Sequence, residues 1–231
     1  LALTPDTSES FVREVDENLR RDQMRDAAKA YGKWIVAAVV VFLAVVGGYL
    51  YWQNRQREQA IADGETMSAA LDKVGAGDAA GAAKDLEPLA ASGNDLIRAT
   101  SKLTRAALAL QQNDRQAASR IYAEVAADTD LPQPYRDMAL LRGTMTDYDQ
   151  LKPDEVISRL APLVEPGKPF FGSAGELTGM AMLAKGDRSG AGQLFARIAA
   201  DQQVPESIRT RAVQVAGSLG VDASASLPTA Q

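Results

Sequence analysis

Asp114-Arg-Gln-Ala-Ala-Ser-Arg-Ile-Tyr-Ala-Glu-Val-Ala-Ala-Asp128 recurs as Asp187-Arg-Ser-Gly-Ala-Gly-Gln-Leu-Phe-Ala-Arg-Ile-Ala-Ala-Asp201, and each copy runs on to a proline, Pro132 and Pro205. Self-similarity at a fixed displacement, here about 73 residues, separates a repeat array from an irregular bundle. A second pair keeps nearly the same displacement. Leu86-Glu-Pro-Leu89 corresponds to Leu160-Ala-Pro-Leu163, each closing a helix with a proline that cannot continue the hydrogen-bond ladder.

Half of that displacement is about 36 residues, close to the helix-turn-helix unit of tetratricopeptide repeats. The chain is therefore read as about four hairpin units, paired two by two. Their second helices carry Ala82 and Leu86, Ala118 and Tyr122, Val156 and Leu160, and Ala191 and Phe195. A small or slim residue lets neighbouring helices approach, and a large one a turn later fills the gap between them. These pairs are predicted core. Short Gly, Asn, Asp and Pro clusters separate stretches the size of one helix, so about nine helices are expected beyond Gln53, with no strand pattern. Gly75-Ala-Gly77 and Gly186 are read as helix stops. Asp78, Asp114, Asp154 and Asp187 stand near the starts of second helices as caps or favourable charges. A last helix, from about Glu206 to Leu219, is expected to cap the array.

Upstream of the repeats, Trp34 to Trp52 reads WIVAAVVVFLAVVGGYLYW, without a charged side chain. That is about the length a helix needs to cross the hydrocarbon of a bilayer. In lipid a helix satisfies its backbone groups internally, and Trp34, Tyr49, Tyr51 and Trp52 suit the two interfaces. Arg20, Arg21, Arg25, Lys29 and Lys33 precede the span closely, whereas Arg55 and Arg57 follow it. Cations near a span resist translocation, so the N-terminus is expected inside and the C-terminus outside. The rivals are a cleaved signal peptide, disfavoured by about thirty polar residues ahead of the apolar run, and the core helix of a soluble protein.

Ahead of the span, Asp6 and Glu9 are spaced as a capping pair, and Phe11, Val12, Val15 and Leu19 share one face of a short amphipathic helix. The expected fold is all-α: one transmembrane helix followed by a tetratricopeptide-like array of helical hairpins, an α-solenoid. Its parts are an N-terminal segment 1–33 on the inner side, a transmembrane helix 34–53, an array 54–220 on the outer side and a disordered tail 221–231.

Composition narrows the function. The 231 residues include no Cys and no His, which removes disulfides, thiolate chemistry, the commonest general base and the commonest metal ligand. No nucleophile-base pair, phosphate loop or metal-spaced cluster appears, so neither enzyme activity nor a cofactor is expected. A formal charge of -5 argues against nucleic acid. The span has no ionisable residue, which argues against ion transport.

The candidate sites are surfaces. Arg98, Lys102 and Arg105 recur on one first helix, and Arg136 and Arg142 lie on the next, where they could clamp acidic groups of a partner. A charge run is more often a solvated face. Phe170 and Phe171 offer an exposed apolar anchor or, alternatively, are buried under the preceding loop. Within the span Ala37, Val41, Ala44 and Gly48 share a face, and Ala44 with Gly48 makes a small-xxx-small pair suited to another transmembrane helix.

Val15-Asp-Glu-Asn-Leu-Arg-Arg21, then Tyr31-Gly-Lys33, then a single span ending in Tyr51-Trp52-Gln53, then degenerate hairpins, together resemble the YfgM-like family. These are ancillary subunits of the bacterial SecYEG translocon. The resemblance implies a cytosolic N-terminus, one inner-membrane helix and a periplasmic array. It also implies association with SecYEG, with a PpiD-like membrane-anchored periplasmic chaperone, and with newly exported client proteins. The alternative within the same class is a periplasmic adaptor for envelope assembly or cell division.

Overall fold

The computed structural model describes residues 7–224, with side chains from Arg20 onward except Asp22, Gln23, Arg25, Ala27 and Ala28. The expected stripe of Phe11, Val12, Val15 and Leu19, the Asp6–Glu9 pair and residues 225–231 lie outside the described side chains. All regular structure among the described residues is helical: α1 (Thr7–Gly75), α2 (Ala79–Leu89), α3 (Asp95–Gln111), α4 (Arg115–Ala127), α5 (Gln133–Asp147), α6 (Pro153–Leu160), α7 (Phe171–Lys185), α8 (Arg188–Ala200) and α9 (Glu206–Ser218). Two compact units meet at Gln59 and Ala60, within α1.

In the second unit the end of α1 packs with α2, α3 with α4, α5 with α6 and α7 with α8, while α9 closes the series. From α2 onward each helix packs on the next, and the first helices α3, α5, α7 and α9 also touch in succession. This is a stack of hairpins, in which neighbours alone supply the core. The apolar interior is accordingly serial, divided into four clusters along the chain. All four predicted pairs lie in it: Ala82, Leu86, Ala118, Leu160 and Ala191 are fully buried, and Tyr122, Val156 and Phe195 are at most 2% exposed.

One turn recurs at three hairpins. Gly77, Asn113 and Gly186 take a left-handed backbone, with φ of 82°, 64° and 90°, and each is followed by an Asp that caps the second helix. The carboxylates of Asp78, Asp114 and Asp187 accept from the backbone N–H groups of Gly81, Ala117 and Gly190 at 2.9, 2.9 and 2.8 Å. The left-handed residue ends one helix and the carboxylate satisfies an orphan donor of the next. The α5–α6 hairpin differs. Asp154 lies inside the first turn of α6, and Glu155 accepts from the N–H of Lys152 at 3.1 Å instead. Pro162 follows in a 3-10 turn, Ala161–Leu163, and α6 has only 8 residues. Pro88 sits in the last turn of α2.

Helix α7 contains Gly172, Gly175 and Gly179, a composition poor in helix propensity. Packing explains it: a Cβ at Gly175 would stand 2.7 Å from Ile198 Cδ1, and one at Gly179 would stand 2.6 Å from Phe195 Cε2. Helix α8 approaches α7 too closely for a side chain at these positions. Val221 and Ala223, the first residues of the expected tail, also join this cluster, and Ala223 is 8% exposed.

Gly179→Ala tests this close approach. Overpacking against the Phe195 ring costs about 1–3 kcal/mol, more than the ~1 kcal/mol that alanine gains in helix propensity. The variant is expected to unfold at lower denaturant than the wild type, measured by circular dichroism in detergent. Gly64→Ala, where nothing lies within 4 Å, is expected to stabilise.

Candidate interaction surfaces

The first unit carries the apolar stretch wholly outside any core. Trp34, Ile35, Val36, Phe42, Leu43 and Trp52 are each more than half exposed, and none of the apolar window is buried. By length and composition the helix can cross a membrane. Ala37, Val41, Ala44 and Gly48 are all exposed, and a Cβ built at Gly48 meets nothing within 4 Å. At the far border the Arg55 guanidinium lies 5.7 Å from the centre of the Tyr51 ring, and its Nε donates to the Tyr51 hydroxyl at 3.2 Å. Tyr49 and Trp52 stand 6.3 Å apart. Rings and a cation thus gather at one edge of the apolar run, as at a water-lipid interface.

In the array, Arg98, Lys102 and Arg105 lie on α3, and Arg136 and Arg142 on α5. Arg98 donates to Asp95 at 2.8 Å and to the Ser92 carbonyl at 3.0 Å, and its Nε stands 3.9 Å from Asp128. Lys102 Nζ is 3.8 Å from the same Asp128 oxygen. Their side chains are only 17% and 20% exposed. The structure therefore joins Arg98 and Lys102 through the residue that closes α4. Arg136 donates to the Gln133 side chain, and its Nε is buried without a hydrogen-bond partner. Arg105 is half-buried and Arg142 exposed, and neither forms an ion pair among the described residues. Burial pushes the Tyr122 phenol up, and Arg142 pulls it the other way.

The two rings part company. Phe171 is fully buried in the α7–α8–α9 cluster, while Phe170 is half-buried against the α5–α6–α7 cluster. Ion pairs tie neighbouring hairpins together. Arg211 on α9 grips Glu176 on α7 through two bonds of 3.0 and 2.8 Å, and Lys185 on α7 reaches Asp154 on α6 at 2.5 Å. The hydrogen bond to Asp154 holds the Lys185 ammonium above the usual lysine range.

Two further surfaces escaped the sequence reading. Met145 on α5 and Met180 on α7 are half exposed, at 50% and 52%, on adjoining first helices. An apolar trough of about 780 Å3 runs among α6, α7 and α8, lined by Ile157, Ala161, Val164, Met182 and Leu194. Its lining comes from three helices, so no local pattern announces it. The nearest sequence signal is Pro162, which stops α6 early.

Stacked hairpins that present side-chain surfaces are the architecture of protein-interaction scaffolds. The chain matches the tetratricopeptide repeat-like domain family over residues 28–216 and belongs to it. The match takes in the apolar stretch as well as the array. No curated protein and no solved structure matches the chain.

Stability should separate the cations. Arg98→Ala, which leaves the Ser92 carbonyl and the Asp95 carboxylate without this partner and Asp128 with Lys102 alone, is expected to cost about 1–2 kcal/mol. Arg105→Ala and Arg142→Ala should stay within about 0.5 kcal/mol of wild type. Urea unfolding followed at the array's helical signal measures all three.

Proposed function

We propose that this protein is a single-pass inner-membrane adaptor. Its N-terminus is cytoplasmic, and its array stands in the periplasm, where it binds the SecYEG translocon, a PpiD-like chaperone and newly exported chains. The observation that carries this reading is the apolar helix 34–53, unburied and bordered by aromatic rings. The excess of cations before it supports the orientation. Membership of a repeat family of interaction scaffolds supports protein partners, and the resemblance of residues 15–53 to YfgM-like proteins supports the translocon.

On this reading Ala37, Val41, Ala44 and Gly48 form the face that meets another transmembrane helix. The first-helix face of the array holds acidic partner segments through Arg105 and Arg142, with Arg98, Lys102 and Arg136 shaping the same face, and the half-buried Phe170 adds an apolar contact further along, while Phe171 stays in the core.

Protease added to sealed spheroplasts should digest the array and leave an embedded N-terminal fragment. Protection of the array while the membrane stays intact would overturn the orientation. Affinity capture in detergent should recover SecYEG and a PpiD-like chaperone. Recovery of a division or outer-membrane assembly complex in their place would sink the translocon assignment and leave the anchored adaptor. Crosslinkers at Ala44 and Gly48 should catch protein, and those on the opposite face lipid.

A further inference from the structure

Four polar side chains are buried in the array: Ser101, Thr144, Thr146 and Thr178. A buried hydroxyl in a helix ordinarily donates to the carbonyl one turn back. Three do so, Ser101 to Ile97, Thr144 to Leu140 and Thr146 to Arg142. Thr178 does not. It is 5% exposed, and its Oγ1 has no hydrogen-bond partner. A desolvated hydroxyl left without a partner is destabilising unless something supplies one.

Thr178 is one of the residues that line the α6–α7–α8 trough. The trough opens because α7 packs on both α6 and α8 while the short α6 gives way at Ala161 to a 3-10 turn. Its walls are apolar, and the short side chains of Ala161 and Ala196 leave room for a backbone between the helices. Gln193 and Arg197 also line it, both exposed, and Arg197 forms no ion pair among the described residues.

A second hollow, of about 380 Å3, is lined by α4 and α5 with Arg159 of α6. There Arg159 and Asp147 line the gap, paired at 3.6 Å, and Asp147 also accepts from Ser119 at 2.8 Å. The α6–α7–α8 trough is lined by Met182 and Leu194 and by no ion pair among the described residues. The smaller hollow is locked by its own charges. The trough is larger, greasy and unlocked, with an unpaired cation at hand.

We propose that the α6–α7–α8 trough is a docking site for an apolar peptide segment bearing a carboxylate. Its apolar side chains enter between α6 and α8, a backbone carbonyl accepts from the Thr178 hydroxyl, and the carboxylate pairs with Arg197. The site lies on the second helices, apart from the first-helix face, and does not depend on the membrane orientation or on the translocon assignment.

The probe is a fluorescein-labelled octapeptide with three leucines and one internal aspartate, titrated by anisotropy against the full chain in detergent. Saturable binding is expected. Arg197→Glu, an exposed change, should weaken it about tenfold and reverse the preference toward a lysine-containing version of the peptide. Thr178→Val should weaken binding yet raise the melting temperature, because it deletes the orphan hydroxyl. Ala196→Trp should abolish binding by filling the trough. The absence of saturable binding would overturn the proposal, as would affinities unchanged by Arg197→Glu and Ala196→Trp. So would tighter peptide binding after truncation behind Ser224, which would make the chain's own last residues the occupant. A loss of self-association in Ala196→Trp with peptide binding intact would assign the trough to a second copy.

Discussion

A single helical hairpin has no partner for its outward apolar stripe, and each unit of this chain is stable only because the next hairpin covers that stripe. The pairing of a slim residue with a large one on every second helix is how the covering is achieved. Ala82, Ala118, Val156 and Ala191 admit a neighbouring helix, and Leu86, Tyr122, Leu160 and Phe195 fill the space beside it. Glycines on α7 take the same logic to its limit, with Phe195 and Ile198 seated against bare backbone. Because contacts are local, the array can vary its surface from one unit to the next without disturbing a shared centre.

That freedom shows in the departures from the repeat. Three hairpins use a left-handed residue followed by a capping Asp, a turn that places the second helix in the same way each time. The α5–α6 hairpin replaces it with a proline-started helix that stops after two turns. On one side of α6 the gap is lined by the Asp147–Arg159 pair, and on the other side apolar residues line an open trough. A repeat that keeps its core but alters its turns thereby creates distinct surfaces along one scaffold.

The charges follow a similar division. Some cations of the array are spent on the fold, joining helix ends or adjacent hairpins, as Arg98, Lys102, Lys185 and Arg211 do. Ion pairs of this exposure contribute little each, but they fix the register of one hairpin on the next. Arg105, Arg142 and Arg197 are among the cations that form no ion pair with the described residues and so have charge to offer another molecule. In the first unit none of the apolar window is buried, and a solvent as apolar as itself is the environment its composition suits.

The sequence by itself determined the helices, their approximate ends and the core pairs. These depend on period, caps and breakers acting within a turn or two: Asp114 capping α4 and Ala118 with Tyr122 facing inward are written in one segment. The apolar span was legible for the same reason, since a bilayer reads composition over one continuous run. Only the tertiary structure decided that Phe171 points into the core while Phe170 stays half outside. Only it brought Arg98 and Lys102 to Asp128, because the end of α4 must first fold back beside the start of α3. The trough and the unpaired Thr178 hydroxyl required three helices at once, and a property that arises where separate segments meet has no signature in any one of them.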